Sequence, residues 1–365
     1  MIPYGRQSIS DEDIEAVVGV LRGDWLTQGP TIERFESAVA ERVGAKYAIA
    51  YSSGTAALHG ATWAAGLGPG DVVATSPLTF MASANCARYV GATPALVDID
   101  SLTWNMEVDK LPPALEGLVA VHFAGLPLDL GALPKSVRPR VVIEDAAHAL
   151  GAETPDGPVG NCRNSEMTCF SFHPVKPITT AEGGMVTTNN ADLADRLRRF
   201  RTHGIVRKPE RGDWYYEISE VGYNYRMTDL QAALGLSQIC KLEQFVSRRN
   251  EIAAMYRELT NPFKLEPQAP APTSVVHGYH LFVIRVSQRD QVIQMLRARG
   301  VGAMVHYVPI HRHPVSNDCH LPEDGLPVCD EVCDQILSLP IHPSLEDEKV
   351  VLISQILGEV LDACS

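Results

Sequence analysis

The chain is poor in several things that would announce a function. No stretch reaches about 18 consecutive apolar residues, so no membrane-spanning helix is expected. The first residues, MIPYGRQSISDEDIEAVVGVL, hold no basic segment followed by an apolar one, so no secretory signal is expected. Positive charge is scarce: 31 Lys and Arg stand against 44 Asp and Glu, a net charge of −13. That balance argues against general affinity for nucleic acid or anionic lipid. The phosphate-loop pattern G-x4-G-K-[ST] is missing, and no G-x-G-x-x-G follows the first strand-like run. A nucleotide triphosphatase and a dinucleotide enzyme are therefore both disfavoured. Low-complexity tracts, charge blocks and repeats are absent as well.

Cysteine is present but unpatterned. Eight cysteines are spread over 365 residues. Without an export signal they are expected as reduced thiols in the cytoplasm. Cys319, Cys329 and Cys333 lie near His306, His311, His313 and His320, yet the paired short spacings of a structural zinc site are lacking. No metal is expected.

What remains is an α/β pattern. YAIAY, DVVATS, PALVDID, LVAVHF and RVVIEDAA are short apolar runs separated by helical stretches. Unalternated runs of that length fit a parallel sheet covered on both faces. Helices are expected to open at Ser10, followed by acidic residues, and at Thr228, whose TDLQ reads as a capping box with Gln231. The second reads as one long helix through REL, followed by the Pro-rich TNPFKLEPQAPAPTSVV. GYHLFVIRV then reads as a strand, QRDQVIQMLRARG as a helix and VGAMVHYV as a strand. Two domains are expected, a large one over residues 1–245 and a smaller α+β one over 246–365.

Three positions carry chemistry. Asp145 ends the run RVVIED, where ligands sit in an open parallel sheet, beyond the carboxyl ends of the strands. A carboxylate there can pair with a cationic ring nitrogen; it could equally cap the next helix. Ser53-Gly54-Thr55 follows YAIAY and opens a helix, whose free amides and dipole suit a phosphate. Many helices start that way without binding anything. Lys176 follows TCFSFHPV and precedes ITTAEGGMVTTN, so it sits in a tight excursion between two strands, with Gly183 and Gly184 allowing close backbone approach. An exposed loop lysine is the ordinary alternative. Together an amine, an acid and a phosphate cup are the handles of pyridoxal 5′-phosphate, which reacts as an aldehyde with lysine and acts as an electron sink.

At this point SFHPVKPITTAEGGMV, YSSGTAALH, EDAAHALG, GYNYRMTDLQAALGLSQ, VHYVPIH and LSLPIHPSL resemble, in order and spacing, the DegT/DnrJ/EryC1/StrS sugar aminotransferases. The resemblance implies the type I aminotransferase fold and a homodimer with active sites at the subunit interface. It implies the covalent link to the cofactor at Lys176 and the pyridinium partner at Asp145. Gly54, Thr55 and Ala56 would lie at the phosphate with Ser171 nearby, Phe80 would stack on the ring, and His148 would stand beside the 3′-oxygen. Asn224 would reach the phosphate of the neighbouring subunit's cofactor. Thr27, Gln28, Arg226, His306 and Tyr307 would face the substrate. The implied reaction is ping-pong: L-glutamate donates its amine, and a nucleotide-linked keto-sugar receives it.

Within the family, WLTQGP, HPVKPITTAEGG and RMTDLQAALGLSQ resemble the 4-aminotransferases of pseudaminic-acid biosynthesis, which act on a UDP-linked 4-keto-6-deoxy-HexNAc. Other keto-sugars remain open, including those of legionaminic acid, perosamine and deoxyaminosugars. Some relatives carry histidine in place of the lysine and dehydrate instead. Lys176 favours transamination, and it weighs against a non-catalytic regulator of the same fold.

Overall fold

The structure, a computed structural model, describes residues 1–364 of the 365. The chain begins with two helices, α1 (Asp11–Leu21) and α2 (Pro30–Val43), and then enters the sheet. Next come β1 (Tyr47–Tyr51), α3 (Gly54–Ala64), β2 (Val72–Thr75), α4 (Ala82–Tyr89), β3 (Thr93–Leu96), β4 (Gly117–Val121) and β5 (Val141–Asp145). A two-residue ribbon, β6 (Glu153–Thr154) with β7 (Gly157–Pro158), precedes β8 (Met167–Ser171) and β9 (Gly184–Thr188). The helix α5 (Ala191–Phe200), a short hairpin of β10 (Ile205–Arg207) and β11 (Tyr216–Ile218), and α6 (Asp229–Ile239) complete this part.

Seven of these strands form one sheet in the order β1-β9-β8-β5-β4-β2-β3. Its pairs are parallel from β3 through β8, while β9 runs antiparallel to both neighbours. The all-buried runs GLVAV and VVIED are its central strands, as a sheet covered on both faces requires. One core packs α3, α4 and α5 against one face through Ile49, Leu58, Cys86, Ile143 and Leu197. The other face is covered by α2 and α6 through Phe35, Val39, Phe170 and Ala232.

The rest of the chain is α7 (Leu242–Thr260), β12 (Glu266–Pro267), β13 (Phe282–Arg285), α8 (Arg289–Ala298), α9 (Pro327–Gln335), β14 (Ile336–Leu339) and α10 (Asp347–Cys364). Three antiparallel strands, β12-β13-β14, carry α7, α8 and α10 over a separate core that includes Ile284, Val292, Leu339 and Leu357. A further cluster joins both parts, with Leu78, Trp104 and Phe123 from the first packed on Val283, Ile310 and Cys333 from the second. The N-terminus crosses over too: Ile2 bridges Val301, and Tyr4 accepts a backbone bond from Ile341. Among the described residues no helix is long and apolar enough to cross a membrane.

Two expectations are corrected. The helix from Thr228 is not continuous; it stops at Ile239 and restarts at Leu242. At the junction the backbone of Lys241 widens to φ −100°, ψ −3°, and its Nζ bonds Asp13 Oδ2 at 2.6 Å. Gln238 reaches the same carboxylate at 2.7 Å. The buried Asp13 of α1 thus gathers both side chains at the break. The run VGAMVHYV is not a strand either: Val301 and Met304 make single bridges, to Ile2 and Ser338. The bond from Gly302 N–H to Ile2 O (2.8 Å) and the turn from Ala303 N–H to Val301 O (3.0 Å) break its ladder.

Candidate active site

Strand ends and one loop build a single cavity of ≈ 330 Å³. Asp145 closes β5, level with Val121 of β4 and Cys169 of β8. Its carboxylate is buried and held in place: Ser83 Oγ donates to Oδ2 at 2.6 Å and the Ala147 N–H to Oδ1 at 3.2 Å. Ser83 is itself bonded to Thr79, at 2.9 Å. The neighbouring Glu144 faces the other way, into a closed network with His122, Ser165 and Thr168. Burial pushes its carboxyl up, but those bonds and the His122 charge outweigh that and leave it below the ordinary value.

Lys176 lies in the excursion between β8 and β9. The loop closes on itself: Phe172 N–H donates to Gly183 O, Thr180 N–H to Phe172 O, and Lys176 N–H to His173 O. The glycines are needed, since a Cβ on Gly184 would stand 2.3 Å from Ser53 O and one on Gly183 2.2 Å from Thr180 Oγ1. Burial draws the Lys176 amine down to about 8, against the charge of Asp145, which raises it. A lysine poised there offers a free amine at neutral to mildly alkaline pH. His280 Nε2 lies 3.5 Å from its Nζ.

The third handle is the start of α3. Ser53 caps it, accepting from Ala56 N–H at 3.1 Å. The first amides of a helix have no intrahelical acceptor and point outward, toward the cavity that Ser53, Gly54 and Thr55 line. Ser171, at the end of β8, lines it too, and a Cβ on Gly54 would meet Ser171 Cβ at 2.8 Å. Ala56 is buried behind this rim. Phe80 is 61% exposed on the cavity wall, with its ring 6.1 Å from that of Tyr307.

His148 lines the same cavity and bonds Tyr307 Oη through Nε2 at 3.1 Å. Burial, then the Lys176 charge, holds His148 well below its ordinary value. His306 is brought down to about 4 by the same two causes, so both imidazoles are neutral at physiological pH. His306 bonds Ser338 Oγ at 2.9 Å.

An amine, a carboxylate, a helix N-terminus with hydroxyls, and an exposed aromatic ring converge on one space of small-molecule size. That donor set fits an anionic, aromatic aldehyde. The sequence profile of the DegT/DnrJ/EryC1/StrS aminotransferase family matches residues 7–357. The chain belongs to this family. It is 38% identical to the spore coat polysaccharide biosynthesis protein SpsC of Bacillus subtilis, over 96% of this chain and 94% of that one. PseC of Helicobacter pylori, an aminotransferase involved in the biosynthesis of pseudoaminic acid, superposes with a TM-score of 0.91 at 29% identity, covering 99% of both chains. The sugar aminotransferase Spr1654 of Streptococcus pneumoniae in its PLP form gives 0.91 at 28% identity, over 100% of this chain and 99% of that one. The fold is the type I aminotransferase fold, the activity is that of a sugar aminotransferase, and the cofactor is pyridoxal 5′-phosphate.

Of the residues the sequence singled out, Lys176, Asp145, Gly54, Thr55, Phe80, His148, Ser171, His306 and Tyr307 line the cavity. Thr27, Gln28, Asn224 and Arg226 are not in its wall. Thr27 bridges Thr228, and Asn224 bridges Thr202, both on exposed stretches. Sequence reasoning missed Ser83 and His280. Ser83 lies in SPLTFMASAN, three residues after Phe80, and His280 in the strand-like GYHLFVIRV, and nothing in either run marks the serine or the histidine as reaching the site.

Proposed function

We propose that this aminotransferase moves the amino group of L-glutamate to the 4-keto carbon of a UDP-linked 4-keto-6-deoxy-HexNAc, as in pseudaminic-acid biosynthesis. The observation that carries the reading is the meeting of Lys176, Asp145 and the α3 N-terminus in one cavity. The likeness to PseC and the motif WLTQGP support the choice of sugar. When bound, the cofactor supplies an aldehyde for amines and a ring that accepts negative charge.

The chain's own residues do the rest. Asp145, fixed by Ser83, would hold a proton on the ring nitrogen. The α3 N-terminus with Ser53, Thr55 and Ser171 takes the phosphate. Phe80 would cover a ring face, and His148, neutral and tied to Tyr307, would stand beside the ring oxygen. Lys176 would hold the cofactor between turnovers and, when released, would carry the proton that leaves one carbon and arrives at another. Glutamate departs as 2-oxoglutarate, and the keto carbon becomes an amine.

The enzyme is read as a homodimer whose sites are shared. Trp214 and Val221 are 77% and 80% exposed, on the stretch that leads to Asn224 and Arg226. Leu21, Trp25 and Leu26 are exposed beside Thr27 and Gln28. Apolar side chains on those two stretches suit burial against a second copy, which brings Asn224 to the partner's phosphate and Arg226, Thr27 and Gln28 to the substrate. A cytoplasmic location fits eight free thiols.

The test is spectral and chemical. Glutamate should bleach the visible band of the bound cofactor and release 2-oxoglutarate. The UDP-4-keto sugar should restore the band and yield the 4-amino sugar by mass spectrometry. Restoration only by dTDP- or GDP-linked keto-sugars would move the substrate to another branch of the family.

A further inference from the structure

His280 stands directly behind Lys176, outside the cavity wall. Its Nε2 is 3.5 Å from Lys176 Nζ, across 104 positions of sequence. The side chain is buried, and its Nδ1 has no hydrogen-bond partner. Nε2 is thus the ring nitrogen with a polar neighbour, and that neighbour is the Lys176 amine.

The backbone that carries His280 is held from both sides. Arg249 of α7, wholly buried, donates through Nη1 to the carbonyls of Tyr279 (3.1 Å), His280 (3.4 Å) and Ile341 (3.1 Å). Gly278 N–H bonds Gly125 O at 2.9 Å, and Leu281 N–H bonds Ala124 O at 3.2 Å. A Cβ on Gly125 would stand 2.7 Å from His148 O and 2.9 Å from Tyr279 N. The segments bearing His148 and His280 are therefore clamped together, with their rings 4.4 Å apart. Such rigid placement at the amine is what a positioning group needs.

We propose that His280 is a positioning residue for Lys176: its Nε2 accepts a hydrogen bond from the lysine amine whenever that amine is free, and so holds it where it takes and returns the proton. The inference rests on the reading of Lys176 given above. Burial first, then the charges of Lys176, His148, Arg249 and His306, keeps the His280 imidazole well below its ordinary value, so it stays neutral, and in the tautomer with its proton on Nδ1 it accepts through Nε2. On its cavity side Lys176 shares walls with Asp145, His148, His173, Glu182, His306 and Tyr307, and with Tyr4 above them. On the opposite side it faces Arg6 and Arg249 across a small void. Of these, Asp145 is the group that raises the amine. An acceptor on the ammonium raises it as well, and its loss lowers it.

The experiment reads the lysine without turnover. Full-length enzyme is stripped of cofactor, and pyridoxal 5′-phosphate is added back over a pH series. The visible band returns only through the neutral amine, so the midpoint of its rate reports Lys176. His280→Phe keeps the ring but removes the acceptor, and its midpoint should fall by about one pH unit. His280→Gln, which can offer an oxygen near Nε2, should stay near the wild type. If the phenylalanine variant does not fold, His280→Leu replaces it in the comparison. A wild type that regains the band beside an acceptor-free variant of unchanged midpoint overturns the inference alone, as does an equal shift in the glutamine variant. A wild type that never regains the band overturns the functional reading and this inference with it.

Discussion

Lys176→Ala should cut aminotransfer by about 10⁴-fold or more and remove the visible band, because no other amine reaches the cavity floor as this one does. Asp145→Asn should leave circular dichroism unchanged while kcat falls by about 10²–10³-fold, since the ring nitrogen loses its fixed anion. With burial holding the Lys176 amine at about 8, the half-reaction with sugar should quicken as pH rises through that value. The sign for stability follows from the same shift. From about 8 up to 10.5 the unfolded chain keeps a proton on this lysine that the folded, cofactor-free chain has shed. The cofactor-free protein should therefore gain stability across that window, by chemical denaturation at stepped pH. Asp145 was legible because it ends a short apolar run, where open sheets bind ligands, and Lys176 because it lies just beyond another, in a tight excursion between two strands. Ser83 and His280 were not, because they act across 62 and 104 positions from bland surroundings.

The helix start at the cofactor phosphate depends on close packing, and one glycine tests that. Gly54→Ala would drive a Cβ to 2.8 Å from Ser171 Cβ at the phosphate rim. Weaker cofactor retention is expected, about tenfold in equilibrium dialysis. The seven-stranded sheet was readable from runs such as YAIAY and RVVIEDAA, since buried parallel strands need continuous apolar sequence. The capping box at Thr228 was readable too, because Gln231 Oε1 accepts from Thr228 N–H at 2.9 Å within four residues. The break after Ile239 was hidden, as it follows a distant contact: Lys241 and Gln238 turn toward Asp13 of another helix. VGAMVHYV carries the right residues for a strand but meets Ile2 only at Val301 and Ser338 only at Met304, so local propensity loses to its neighbours.

At the scale of the whole molecule, the family was written in six ordered motifs, whereas the substrate was not, because sugar choice rests on a few contacts worth about 1–3 kcal/mol each. Shared sites make a sharp prediction. Lys176→Ala and Asn224→Ala proteins, each weak alone, should regain activity when unfolded and refolded together, to roughly a quarter of the wild-type level, because half the dimers then hold one intact site of two. No recovery would place Asn224 in its own subunit's function or outside the site. The aminotransfer rests most directly on the lysine itself. Borohydride reduction of the glutamate-free enzyme, followed by peptide mass spectrometry, should find a phosphopyridoxyl group on the peptide carrying Lys176. The same mass on another lysine, or on none, would contradict it.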